Sequence, residues 1–216
     1  MHTDSTLIVF GSGGHAKVVI DAAEKQGYKQ ILVADDAEKN WGVQLMGHPI
    51  LGGREALLLL NSRPLAISAI GDNAARMHIA AWLEANGFTL ATVIHPSAQV
   101  GRGARIGRGS VLVAGSIVNS DAVIDANVIV NTGATVDHDC IVGDGVHLAP
   151  GVHLCGRAEV GRGSFLGVGT VVIPCIHIGV NCVVGAGSVV LENIPDGALV
   201  AGVPARPLHQ ETDGIS

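Results

Sequence analysis

Between residues 94 and 195 an aliphatic side chain recurs every six residues without a slip. The run opens IHPSAQ, VGRGAR, IGRGSV and closes IGVNCV, VGAGSV, VLENIP, seventeen hexads in one frame. Every first position is Ile, Val or Leu, and every fifth is Ala, Ser, Thr, Cys, Val or Ile. Gly recurs at the second and fourth positions, where the chain must turn. A fixed short period with one aliphatic per unit predicts a solenoid of hexapeptide repeats. Each hexad supplies a short flat strand and a corner, and three hexads close one triangular coil. Seventeen hexads give between five and six coils, stacked at the usual strand spacing of roughly 4.8 Å. First- and fifth-position side chains point inward. A β-sandwich would show alternation with irregular turn spacing, which is absent. The expected fold of this part is an all-β, left-handed parallel β-helix.

The preceding residues carry a different pattern. TLIVF (6–10) predicts a buried strand. GSGGHAKVVIDAAEKQGY then gives a tight turn and a helix with Val18, Val19, Ala22 and Ala23 on one face, ended by Gly27. QILVADD (30–36) predicts a second strand, 41–53 a loop with short extended pieces, and 54–61 a helix. LAISAI (65–70) predicts a third strand, and Asp72 can cap a helix running to about Asn86, with Gly87 as its stop. TLATVI (89–94) leads into the first coil. This β-α-β-α-β-α-β order implies a small parallel sheet with helices on its faces. Two domains are therefore expected: an α/β Rossmann-like half domain over 1–93, and the β-helix with its tail over 94–216. Beyond Pro195, 198–201 can add a strand, Pro204 and Pro207 should stop regular structure, and the polar end should fray.

Composition narrows the function. The chain has 216 residues and a formal net charge of −6, which argues against a nucleic-acid surface. No apolar run reaches the roughly 20 residues of a membrane span. The start, MHTDSTLIVFGSGG, lacks a basic region and long apolar run, so no signal peptide is expected. The four cysteines are scattered in the repeat without a CxxC, and Cys140 and Cys182 fall at inward positions. A reduced cytoplasmic setting is expected.

Gly11-Ser12-Gly13-Gly14-His15-Ala16 after a strand fits GxGxxA. Such a turn lets backbone approach a phosphate, and the helix N-terminus adds favourable partial charge. Asp35 and Asp36 follow at the end of the second strand, where an acid can hold a ribose hydroxyl. Three readings stand at this point: a phosphate-binding turn for a nucleotide-linked substrate, a nicotinamide site, or a turn needed only for helix–strand packing. Some ninety residues hold only half of a dinucleotide fold, which disfavours the nicotinamide reading. His15 answers no packing rule, and its place at the helix start lets a ring nitrogen reach a phosphate.

Five histidines lie in the repeat: His95, His138, His147, His153 and His177. None takes an inward slot, so each is expected at the solvated surface. His138 stands apart because Asp137 and Asp139 flank it, and one can bind a ring nitrogen and raise its basicity. No other histidine lies directly above or below it, which disfavours a metal. Gly156 is its neighbour one coil on and leaves room for a ligand.

GSGGHAKVV, the paired aspartates, IGDN, NTGATVDHDCIVGDGVHLAPG and the closing VAGVPARPL together resemble the bacterial nucleotide-sugar N-acetyltransferases. These include the enzymes acetylating UDP-linked 4-amino sugars in bacillosamine-type pathways and the perosamine acetyltransferases, with sialic acid O-acetyltransferases as relatives. The resemblance implies His138 as general base and Asp139 as its support. It implies Gly13, Gly14, His15, Asp35, Asp36 and Gly71 at the nucleotide-sugar site, and Asn131, His147, Gly156 and Val168 at the acetyl-coenzyme A site. It further implies direct acetyl transfer without a metal, in a homotrimer with active sites between neighbouring solenoids. Two other readings remain at this level: a sugar hydroxyl as acceptor, or a catalytically silent nucleotide-sugar scaffold. The His138–Asp139 pair disfavours the latter.

Overall fold

The computed structural model describes residues 6–208. The N-terminal part is a four-stranded parallel sheet. Its centre is β1 (Thr6–Phe10), paired on one side with β2 (Gln30–Ala34) and on the other with the strand Leu65–Ser68, which pairs with Thr89–Leu90. The alternation of β1 explains the layers. Leu7 and Val9 face α1 (Gly14–Gln26), while Ile8 and Phe10 face α2 (Arg54–Leu58) and α3 (Asn73–Ala85). α1 ends at Gly27, whose φ of 113° closes the turn without a Cβ penalty. The Asp72 side chain caps α3 by accepting from the Ala75 amide.

Two boundaries differ from expectation. α2 stops at Leu58 rather than 61: Leu58 and Leu59 are exposed, and the chain returns to the core only at Leu60. The segment after Gly202 does not leave regular structure: Arg206–Pro207 folds back antiparallel on Leu199–Ala201. A proline is tolerated there because it sits on the edge strand. The expected fraying of the last residues lies outside the described residues.

The hexads form a parallel solenoid of about six coils with three flat faces. The first face begins at Val93–Ile94 and carries Val111–Leu112, Ile129–Val130, His147–Leu148, Phe165–Leu166, Val183–Val184 and Leu199–Ala201. The second carries Thr135–Val136 and His153–Leu154 among others, and the third Ile141–Val142 and Glu159–Val160. Their inward aliphatics make one continuous core. Two buried fifth-position hydroxyls are satisfied by neighbouring coils: Ser110 Oγ donates to the Asp125 carbonyl and accepts from the Val128 amide, and Ser164 Oγ bridges Gly179 and Cys182 in the same way. The buried Ser116 Oγ has no partner among the described residues. Most fourth positions adopt left-handed φ, taken by Gly or by residues such as Asp121, Asn127, Asp139 and Asn181.

The domains share a core. Val93, Val111 and Val113 of the first face pack with α1 and β1. Beside this core lies Arg76, wholly buried in α3. All five of its N–H donors are used: Nε to the Asn127 carbonyl (2.9 Å), one terminal nitrogen to the carbonyls of Ile70 and Gly71 (3.1 Å each), the other to Asn73 Oδ1 and the Gly145 carbonyl (2.8 Å each). Asn73 Nδ2 in turn donates to the Gly163 and Ser164 carbonyls. The α3 N-terminus is thus pinned to the corner between the third and first faces. Burial lowers the Arg76 pKa to about 10, with Asp72 partly opposing.

Replacing Arg76 by Leu leaves those carbonyls without donors inside the seam. The variant should lose about 3 kcal/mol or more, read from urea unfolding. An unchanged midpoint would contradict this account of the seam.

Candidate active site

A cavity of about 570 Å³ opens at the carboxyl ends of the parallel strands. It lies where the strand order reverses, between β1 and Leu65–Ser68, the place where open α/β sheets take ligands. Gly13, Gly14, His15, Asp35, Asp36 and Gly71 all line it, so the six residues expected at the nucleotide-sugar site come together. Gly11 has a φ of 117° and its Cβ position meets the Ala69 carbonyl at 3.0 Å, so the turn itself requires that glycine. Gly13 and Gly14 have no such crowding: nothing lies within 4 Å of a Cβ at either. Contact with neighbouring atoms therefore does not require them, and the open turn leaves room for a group to approach the α1 N-terminus.

The two aspartates are already engaged. Asp35 accepts from Ser12 Oγ (2.5 Å) and from the Ala37 amide (2.8 Å), and its carbonyl accepts from Trp41 Nε1. Asp36 accepts from the Arg54 amide (3.1 Å) and pairs with Arg54 Nε at 2.9 Å. Arg54 also lies over the Trp82 ring, 5.8 Å from its centroid. The acids thus brace the rim and hold a cation at it, leaving lone pairs for a ligand.

His138 sits at the corner between the second and third faces. The corner places Asp139 in the left-handed region, φ 59°, a conformation Asp tolerates. This turns its carboxylate back, and Asp139 Oδ2 lies 2.8 Å from His138 Nδ1. Of the two flanking acids, Asp139 is therefore the ring's partner. Asp137 instead accepts from the His138 amide and from Asn119 Nδ2. A proton held on Nδ1 by the carboxylate leaves Nε2 as the free base. That nitrogen lies over Gly156, where a Cβ would stand only 2.7 Å from His138 Nε2 and Cε1. A shallow hollow of about 420 Å³ adjoins the ring, lined by Cys155, Arg157, Pro174 and Cys175 among others.

Of the four residues expected at the acetyl-coenzyme A site, the chain brings Asn131 and His147 together, Nδ2 3.1 Å from Nε2, and leaves Gly156 and Val168 on different corners. Gly156 is with His138, Asn131 and Val168 are on the corner between the first and second faces, and His147 is on the first face. The expectation of solvated histidines fails for two of the five. His95 is 9% exposed, held by Ser97 through Nδ1. His147 points outward from its coil, but the N-terminal domain covers it. It stands edge-on to Phe165 (centroids 5.2 Å apart), and its ring centroid is 6.3 Å from that of His15. Burial lowers the His15 pKa to about 3, with His147 and Arg76 adding to the effect, and burial followed by Arg76 lowers that of His147 to about 4.

A triangular β-solenoid carrying an α/β domain with an open cavity, and an outward His–acid pair, defines the class of hexapeptide-repeat acyltransferases. Residues 6–83 match the PglD N-terminal domain family. The structure superposes on the acetyltransferase domain of PglB from Neisseria gonorrhoeae FA1090 with a TM-score of 0.88 at 40% identity, over 95% of this chain and 100% of that one. PerB from Caulobacter crescentus, solved with CoA and GDP-perosamine, gives a TM-score of 0.89 at 40% identity, over 95% and 98%. The chain belongs to this family of nucleotide-sugar N-acetyltransferases. Matches to curated proteins are shorter. The dTDP-3-amino-3,6-dideoxy-alpha-D-galactopyranose 3-N-acetyltransferase of Aneurinibacillus thermoaerophilus is 47% identical over 51 residues, 24% of this chain and 27% of that protein. The chain thus matches only about a quarter of that curated relative's length.

Sequence reasoning missed Arg76, Asn73, Arg54 and Phe165. One signal was available: Arg76 lies on the same helical stripe as Ile79, Ala80 and Leu83, so a charge had been placed on the buried face of α3.

The lowered histidine pKa values set an acid limit. The unfolded chain protonates His15 and His147 near 6.5, while the folded chain holds His15 neutral down to about 3 and His147 down to about 4. Below pH 6.5 the unfolded state binds more protons, so stability should fall as the pH drops towards 4. Thermal midpoints of the wild type and of a His15→Gln/His147→Gln double variant should converge over this range. Parallel curves would contradict the assignment.

Proposed function

We propose that the protein transfers the acetyl group of acetyl-coenzyme A to the 4-amino group of a nucleotide-linked sugar, with His138 as general base. The preferred substrate is a UDP-linked 4-amino-4,6-dideoxy-N-acetylhexosamine, and the product would serve surface glycan synthesis in the cytoplasm. GDP-perosamine is the second reading, favoured by the match to PerB, which was solved with that ligand at the same identity as the PglB domain.

The observation that carries the reading is an opposition. The nucleotide cavity belongs to a domain seated on the first face, and His138 stands at the corner between the second and third faces, the vertex opposite. The hollows at the two places share no residue. A sugar held in the cavity is served by the His138 of another copy. A homotrimer about a threefold axis satisfies this for all three chains at once, and it brings the corner with Gly156 against a neighbour's corner with Val168, making a cleft for acetyl-coenzyme A.

The chemistry follows from the free Nε2. The neutral sugar amine adds to the thioester carbonyl carbon while His138 Nε2 takes its proton. The Gly156 amide, bare of a side chain beneath the ring, is the candidate donor to the oxyanion. Collapse breaks the carbon–sulfur bond, and the proton returns from His138 to the thiolate, giving the amide and free coenzyme A. Asp139 orients the ring and offsets its charge. Holding both substrates across one seam supplies much of the rate.

The test is coenzyme A release, with mass detection of product, across UDP- and GDP-linked 4-amino sugars. His138→Ala should lower turnover roughly 10²–10⁴-fold with little change in either KM, because the side chain points out of the coil. Near wild-type turnover at saturation would refute His138 as the base, and no acetylated product from any of these sugars would refute the substrate class.

A further inference from the structure

Two buried nitrogens at the domain seam have no hydrogen-bond partner among the described residues: His15 Nε2 and His147 Nδ1. They belong to rings that face each other across the seam, tilted by 38°, with no hydrogen bond between them. His15 also lines the nucleotide cavity, and Gly71, whose carbonyl faces His147, lines it too. A buried polar atom left unpaired costs about 1–3 kcal/mol, so two at one spot call for an occupant.

The chain itself fixes which proton His147 carries. The Thr132 amide donates to Asn131 Oδ1 at 2.8 Å, which turns the Asn131 Nδ2 group towards His147. Asn131 Nδ2 lies 3.1 Å from His147 Nε2, and an amide NH₂ can only donate. Nε2 is therefore the acceptor, and the single proton of the neutral ring is on Nδ1. The groups facing His147 are His15 from α1, Arg76 from α3, the Gly71 carbonyl from the preceding loop, and Asn131 and Phe165 from the solenoid. None is a carboxylate; only the Gly71 carbonyl favours the imidazolium, and burial and Arg76 outweigh it.

We infer that His147 Nδ1–H and His15 Nε2 together bind one hydroxyl of the nucleotide-linked sugar, and that Asn131 is a positioning residue that fixes the His147 tautomer for this purpose. A hydroxyl fits both atoms, since it accepts from His147 and donates to His15. A phosphate oxygen only accepts, so it satisfies His15 Nε2 only if that nitrogen is protonated. The inference rests on the nucleotide-sugar reading, and it moves Asn131 and His147 from the acetyl-coenzyme A side of the site to the sugar side.

Asn131→Asp tests it with little change of shape. The carboxylate keeps the Thr132 bond but only accepts, so it draws the His147 proton to Nε2 and leaves a lone pair facing the sugar. The protein is labelled with ¹⁵N-histidine and studied at pH 8.5, with GDP-perosamine and the UDP-linked 4-amino sugar as probes. The wild type should show His147 protonated at Nδ1, and the productive probe should shift the His147 Nδ1 and His15 Nε2 signals while coenzyme A alone should not. The variant should show the opposite tautomer and a KM for the sugar raised roughly ten-fold, with the KM for acetyl-coenzyme A unchanged. His147 protonated at Nε2 in the wild type, His15 protonated at Nε2, or equal changes in both KM values would overturn the inference. So would imidazole signals that stay in place when a turned-over sugar binds, which would mark a buried water as the occupant. A wild type that acetylates neither probe would overturn the substrate reading and the inference with it. A wild type that turns over with silent imidazoles would overturn the inference alone.

Discussion

One guanidinium sets the relation between the two halves of this protein. Arg76 leaves no donor unused, and its partners come from the loop before α3, from α3 itself and from two coils of the solenoid. A buried cation without a carboxylate is costly, and here five hydrogen bonds offset the cost. The same charge reaches beyond packing. It helps keep His15 and His147 neutral, so the floor between cavity and solenoid is built of hydrogen-bonding rings rather than cations. Through the Gly71 carbonyl it also fixes one wall of the cavity at the strand ends. Stability, cavity shape and local electrostatics therefore hang on one side chain.

The second constraint is the prism. A coil of three short strands has no concave surface, so any outward group needs a wall from elsewhere. On the first face the N-terminal domain provides it, which is why His147 is covered. At the opposite vertex nothing among the described residues does, and the His138 and Asp139 side chains remain 55% and 51% exposed despite their mutual hydrogen bond. Activity as proposed is thus a property of an assembly: one copy holds the sugar and another supplies the base.

Much of this was legible in the residues because the hexad code is local. Aliphatic first positions, small fifth positions and left-handed fourth positions each follow from one coil's geometry, and Asp139 next to His138 could be paired by adjacency. The GxGxxA turn and its aspartates were legible for the same reason, being set by one β-α-β unit. What escaped depends on contacts between distant segments. Asn73 meets Gly163 across 90 residues and Arg76 meets Gly145 across 69, and no period in the sequence encodes such pairs. The solvent exposure of His147 was misjudged for this reason: its slot faces outward, but the domain that covers it is docked by Arg76. The return of Arg206–Pro207 onto the last strand was missed because two prolines read as an end to pairing, although an edge position accepts them.

The claim that a sugar bound to one copy is acetylated by the base of another has a direct test in mixed assemblies. Gly13→Leu places a side chain into the nucleotide cavity at a position with no protein atom within 4 Å, so it should block the sugar without disturbing the fold. His138→Ala removes the base at the far vertex. Each variant alone should be nearly inactive. Unfolded together in equal amounts and refolded, they should regain activity approaching about a quarter of wild type, the share of seams that pair an intact cavity with an intact base in a random ring. Activity of the mixture no greater than the sum of its separate parts, in trimers shown to have exchanged, would mean that cavity and base act within one chain.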